Sequence, residues 1–117
     1  MSRLDDMLDR FRGHEGVEQL VLLGADGLVV QQLGDDATLA ESLAARIPGL
    51  ASAGDSLGQS IGQGHLSTAV LEFERGVAIV LSLSEELLLA VLLKPGVGFA
   101  PLLRELRRER DRLIELL

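Results

Sequence analysis

The spacing of apolar positions divides the chain into eight segments. Leu4, Met7, Leu8 and Phe11 share one face of a short helix, with Ser2 as its N-cap and Gly13 as its stop. Two short apolar runs follow, over 17–23 and 28–33, and Asp26-Gly27 between them supplies the positive φ of a tight hairpin turn. Asp35 or Asp36 caps a long helix whose inward stripe reads Leu39, Leu43, Ile47, Leu50, Leu57 and Ile61. Pro48-Gly49 falls inside it, and a proline there removes a backbone donor and clashes with the preceding turn, so a kink or a break is expected.

Gly62-Gln63-Gly64 is a loop. Over 65–74 the pattern alternates, Ser67, Ala69, Leu71 and Phe73 opposite Leu66, Thr68, Val70, Glu72 and Glu74. Two unbroken apolar runs, 77–83 and 87–94, lie either side of Ser84-Glu85-Glu86, which reads as a turn. Such continuous apolarity belongs to strands covered on both faces, and adjacent carboxylates rule out a membrane span across 77–93. Lys94-Pro95-Gly96 ends the sheet, and a charged helix over 99–117 closes the chain with Leu102, Leu103, Leu106, Leu113 and Leu117 inward. The order α-β-β-α-β-β-β-α reads as one α+β domain over residues 1–117 with an antiparallel sheet.

The long helix carries a second set of small residues: Ala40, Ala44, Ala45, Ala51, Ser52, Ala53, Gly54 and Gly58. Small side chains let another helix approach closely. A single helix on its sheet face has no neighbour to offer within the chain, so a second subunit is expected.

Composition narrows the function. With three Phe, no Tyr and no Trp, the core is aliphatic and nucleic-acid bases find few stacking platforms. A net charge of −7 opposes binding to a phosphate backbone. The acids concentrate before residue 97, where fourteen stand against six bases; beyond it five Arg meet four acids. The absence of Cys removes disulfides and thiolate metal sites and fits the cytoplasm, as does an N-terminal stretch with no signal-like apolar run.

No catalytic constellation emerges. His14 and His65 lack partners at metal-ligand spacing and read as surface or turn histidines. Gly58, Gly62 and Gly64 leave a helix instead of opening one, and no Gly-Lys-Ser/Thr follows, so they are no phosphate loop. Asp5, Asp6 and Asp9, and Glu72, Glu74, Glu85 and Glu86, sit where charged residues normally face water. Ser56, Ser60 and Ser67 lack the Gly-x-Ser-x-Gly frame of a nucleophile elbow. The Arg-rich last helix is nearly neutralised by its own acids, through pairs such as Glu105–Arg108 and Glu109–Arg112. The chain is read as no enzyme, with no catalytic residue, cofactor or metal.

One resemblance gives these elements a function. Gly24-Ala25-Asp26-Gly27-Leu28 resembles the turn of the Roadblock/dynein light chain family, 39–45 its Ala-rich helix, and Leu87-Leu88-Leu89-Ala90-Val91-Leu92 its apolar strand before a C-terminal helix. The resemblance covers essentially the whole chain through order, spacing and length. It implies a profilin-like fold: a five-stranded antiparallel sheet with one long helix on one face and two on the other. Members usually dimerise by pairing their middle strands edge to edge, with the long helices side by side. They regulate or scaffold Ras-like small GTPases or serve as dynein-associated light chains, and the bacterial gliding-polarity members activate hydrolysis by a partner GTPase. The Asn-free, Ala-, Leu- and Arg-rich composition adds a bacterial, high-GC origin.

The expectation is a homodimeric, non-enzymatic regulator or scaffold of a Ras-like GTPase. Ala40, Ala44, Ala51, Leu66, Thr68 and Val70 would form the dimer interface, and Glu41, Arg46, Asp55 and Gln59 would meet the partner. The alternatives are a structural adaptor in a sensor-kinase or cytoskeletal assembly, and a small-molecule sensory module. The aliphatic core offers the latter few polar groups to orient a ligand.

Overall fold

The computed structural model describes residues 2–117. Helix α1 (Arg3–Arg12) begins where the Ser2 hydroxyl accepts the Asp5 amide at 3.0 Å. Acids in its first turn and Arg10 and Arg12 in its last complement the helix dipole. Strands β1 (Val17–Gly24) and β2 (Val29–Leu33) form the hairpin. Gly27 at φ 88° permits the turn, and the Asp26 carboxylate accepts the Leu28 amide at 3.1 Å. Leu22 pairs with Gln31 but Leu23 with Val29, so Val30 is the extra residue of a β-bulge. Gln31 donates to Asp5 at 2.9 Å, and this bond, together with the Ser2 contact, holds the Asp5 carboxyl below its ordinary pKa.

Helix α2 (Ala37–Ser60) starts where the Asp36 carboxylate accepts the Leu39 amide at 3.0 Å. Pro48 does not break it. The proline deprives the Ala44 carbonyl of its usual donor, and that carbonyl turns against the hairpin, 3.5 Å from where a Cβ on Gly27 would stand. Ala44 and Ile47, 1% and 6% exposed, press this part of the helix onto the sheet. Packing outweighs the lost hydrogen bond.

Strands β3 (Thr68–Phe73), β4 (Gly76–Ser82) and β5 (Leu87–Leu93) follow as a meander, with the Ser84 hydroxyl accepting the Glu86 and Leu87 amides in the last turn. The sheet order β2-β1-β5-β4-β3 is antiparallel throughout and leaves β2 and β3 at the edges. Helix α3 (Ala100–Leu116) has Pro101 in its first turn, where no amide donor is needed.

Two cores result, one on each face. Leu8, Phe11, Leu102, Leu106 and Leu113 from α1 and α3 pack on Leu20, Leu22, Ile79, Leu89 and Val91. On the other face Ala40, Ala44 and Ile47 of α2 cover Val21, Leu23, Val80, Leu88 and Ala90. This is the expected arrangement of one long helix opposite two. The core is not wholly aliphatic, however, because Gln19 is 2% exposed. Its hydrogen-bond network assigns the amide orientation in which the oxygen accepts from the Asp36 (2.9 Å) and Asp35 (3.3 Å) amides and the nitrogen donates to Gln32 Oε1 (3.2 Å). Gln19 thereby ties β1 to the start of α2.

His14 is half-buried, its Nε2 3.2 Å from Glu105 Oε1, and Glu105 also meets Arg10 at 3.7 Å and Arg108 at 3.6 Å. Glu109 pairs with Arg10 and Arg108, not with the expected Arg112. Leu117, expected inward, is 44% exposed.

Candidate protein-binding interface

Helix α2 presents four different surfaces. The line Ala40, Ala44, Ile47 and Ala51 faces the sheet, and its small side chains bring the helix close to the strands. This corrects the expectation that Ala40 and Ala44 meet a second subunit: each is 1% exposed and already packed within its own chain. Ala51 is half-buried against the same core.

The second surface runs through Glu41, Pro48, Asp55 and Gln59. Glu41 borders a groove over β2 with Leu28 and Val29, while Pro48, Ser52 and Asp55 face Ser82, Ser84 and Glu85. Helical geometry puts Glu41, Asp55 and Gln59 on this flank and Arg46 across the helix, so the four expected partner residues do not share a face. Asp55 is also not free. Its Oδ1 accepts the Leu66 amide at 2.6 Å and its Oδ2 lies 3.6 Å from His65 Nδ1, which anchors the loop entering β3.

The third surface is outermost: Ala45, Gly49, Ser52, Ala53 and Ser56, all exposed and small. The fourth is the flank opposite Glu41, carrying Leu39, Leu43, Leu50, Leu57 and Ile61. Leu43 and Leu50, like Ala69 and Leu71, are half-buried against the core on this face of the sheet, but Leu57 and Ile61 remain 62% and 60% exposed. Strand alternation adds Phe73, 60% exposed, to the Ala69–Leu71 side of β3. The inward stripe expected of α2 is therefore two rows, one sheet-facing and one half-buried row that ends in exposed Leu57 and Ile61.

The second row leads toward the free edge of β3. Leu66 is half-buried and lies over Gly54, where a Cβ would stand 2.9 Å from Leu66 Cδ2. Thr68 is half-buried and pairs with Leu81, and Val70 packs toward the α1–α3 core. Of the expected interface residues, these three lie on or beside the open edge. The sequence does carry a signal for the leucine row: Leu43, Leu50 and Leu57 recur every seven residues, the spacing of a helix–helix seam. Phe73 and Ile61 have no comparable signal, because only the tertiary structure shows that nothing covers them.

Among the described residues no three His, Asp or Glu side chains gather closely enough to hold a metal ion. No helix among them is long and apolar enough to cross a membrane. What the surface offers is exposed apolar side chains at both ends of an unpaired strand edge, which is a protein-binding feature.

Comparison with known proteins agrees with this geometry. A Roadblock/LC7 domain from Streptomyces avermitilis is 29% identical, with 97% of this chain and 93% of that one aligned at a TM-score of 0.78. MglB of Myxococcus xanthus is 16% identical over 96% of this chain and 85% of that one, with a TM-score of 0.83. The gliding protein MglB of Thermus thermophilus is 19% identical over 97% and 87%, with a TM-score of 0.84. No curated protein matches significantly by sequence. Residues 3–93 match the Roadblock/LC7 domain, so the chain belongs to this family of regulatory and adaptor domains.

Proposed function

We propose that the chain is a homodimeric, non-enzymatic regulator of a Ras-like small GTPase. The observation that carries the reading is the open β3 edge with exposed apolar side chains at both of its ends, Leu57 and Ile61 of α2 near its start and Phe73 at its finish, in a Roadblock/LC7 domain. Two protomers would pair along β3, extending the sheet and ending the exposure of its edge. Their α2 helices would then meet through the leucine flank. The likeness in fold to two MglB proteins supports this class of regulator.

In this dimer the outer strip of Ala45, Gly49, Ser52, Ala53 and Ser56 from both protomers forms a low-relief platform for the GTPase. Arg46 is exposed between that strip and the leucine flank. The chain works by holding or reshaping its partner. The test is GTP hydrolysis by the Ras-like GTPase of the same organism, with and without this protein, alongside a pull-down. Accelerated hydrolysis identifies an activator, and binding without acceleration a scaffold. Absence of both overturns the GTPase reading and leaves the adaptor alternative.

A further inference from the structure

The opposite edge of the sheet carries a second apolar surface, separate from β3. Leu28 is 67% exposed, Val30 59% and Val29 36%. Leu28 and Val30, with Leu87, line an open groove of about 740 Å³ between the β1–β2 and β4–β5 turns. Asp26, Glu85 and Glu86 line the same groove, and Glu41 borders the adjoining one beside Leu28 and Val29. Among the described residues neither groove is lined by a basic side chain.

We propose that this groove docks a cationic segment of a partner protein, one carrying an apolar anchor between lysines or arginines. The anchor enters between Leu28, Val30 and Leu87, and the flanking cations meet Asp26, Glu85 and Glu86. Charge selects this occupant. A second copy of this chain, docked symmetrically, would set these carboxylates against each other, and an anionic membrane would be repelled by them. Strand addition is also a poor fit, because the bulge at Val30 interrupts the hydrogen-bonding edge of a five-residue strand. The proposal is independent of dimerisation through β3 and of the GTPase.

The experiment titrates the isotope-labelled full chain with a short amphipathic Leu/Lys peptide and, separately, with its Leu/Glu counterpart, reading backbone amide shifts. Expected are shifts confined to residues 24–31 and 84–88, with the cationic peptide only, and weakening as salt is added. Val30→Asp and the double variant Glu85→Lys/Glu86→Lys should each weaken binding about tenfold or more. These side chains are exposed, and thermal melting verifies that the variants fold; Leu28→Ser serves where Val30→Asp does not. Equal binding of the acidic peptide, shifts spread over the surface or centred on β3, or variants that bind like the parent would overturn the proposal.

Discussion

Replacing Phe73 by Lys tests the proposed dimer at a residue whose side chain is largely exposed in the protomer. Phe73 ends β3, opposite Gly76, and is 60% exposed. Complete burial of such a side chain is worth about 1.5–3 kcal/mol, so covering the exposed part contributes about 1–2 kcal/mol. Two-fold symmetry repeats the substitution in both protomers, which makes the loss about 2–4 kcal/mol before any cost of burying the ammonium groups. That corresponds to a dimer dissociation constant raised roughly 30- to 1,000-fold.

Sedimentation or light scattering across a protein dilution series measures this constant directly. Melting at a concentration where both proteins are monomeric separates the interface effect from protomer stability, since dimerisation itself raises the apparent melting temperature. Ala44→Arg is the informative contrast. It forces a guanidinium into the sheet-facing core and should unfold the protomer, whereas Phe73→Lys should leave a folded monomer. A Phe73→Lys protein that dimerises as tightly as the parent would refute the interface and the argument from exposure behind it.

Three further outcomes test the fold. Pro48→Ala returns a donor to the Ala44 carbonyl and should stabilise the chain by about 1–3 kcal/mol, read by urea denaturation; no gain would mean that the ring's restriction of the unfolded chain offsets the lost hydrogen bond. Gln19→Leu strips the Asp35 and Asp36 amides of their acceptor and should cost about 1–3 kcal/mol, with hydrogen exchange accelerated first at the start of α2. Asp36→Ala removes the helix cap and should cost about 1 kcal/mol by the same denaturation assay.

The fold was legible in the sequence because each of its elements is marked locally. Asp26-Gly27 can form a hairpin turn with few alternatives, and the apolar runs around Ser84-Glu85-Glu86 are too short for anything but covered strands. Elements with competing local signals were harder. Pro48 is a strong local breaker, yet α2 runs through it because Ala44 and Ile47 gain more from the sheet than one hydrogen bond costs. Ala40 and Ala44 show a related ambiguity. Small residues signal close approach but do not say to what, and in α2 Ala40 and Ala44 serve the sheet. Of the apolar row that looked like core, Leu43 and Leu50 are half-buried, and Leu57 and Ile61 are the side chains left outside.

The two edge strands divide the surface in a way that gives the proposed dimer its reach. In one protomer β2 and β3 are separated by β1, β5 and β4, so about 19 Å lies between the two edges at the usual strand spacing. Pairing along β3 makes a continuous sheet of twice the width and sends both β2 edges to its far ends, about 43 Å apart. The acidic grooves beside Val30 then flank the dimer, well away from the helix platform at its centre. Such a dimer can hold a GTPase centrally and one cationic segment at each end. A partner with two such segments would gain avidity only if its linker spanned that distance. Phe73→Lys should therefore abolish any bivalent enhancement while leaving the affinity of each single groove unchanged.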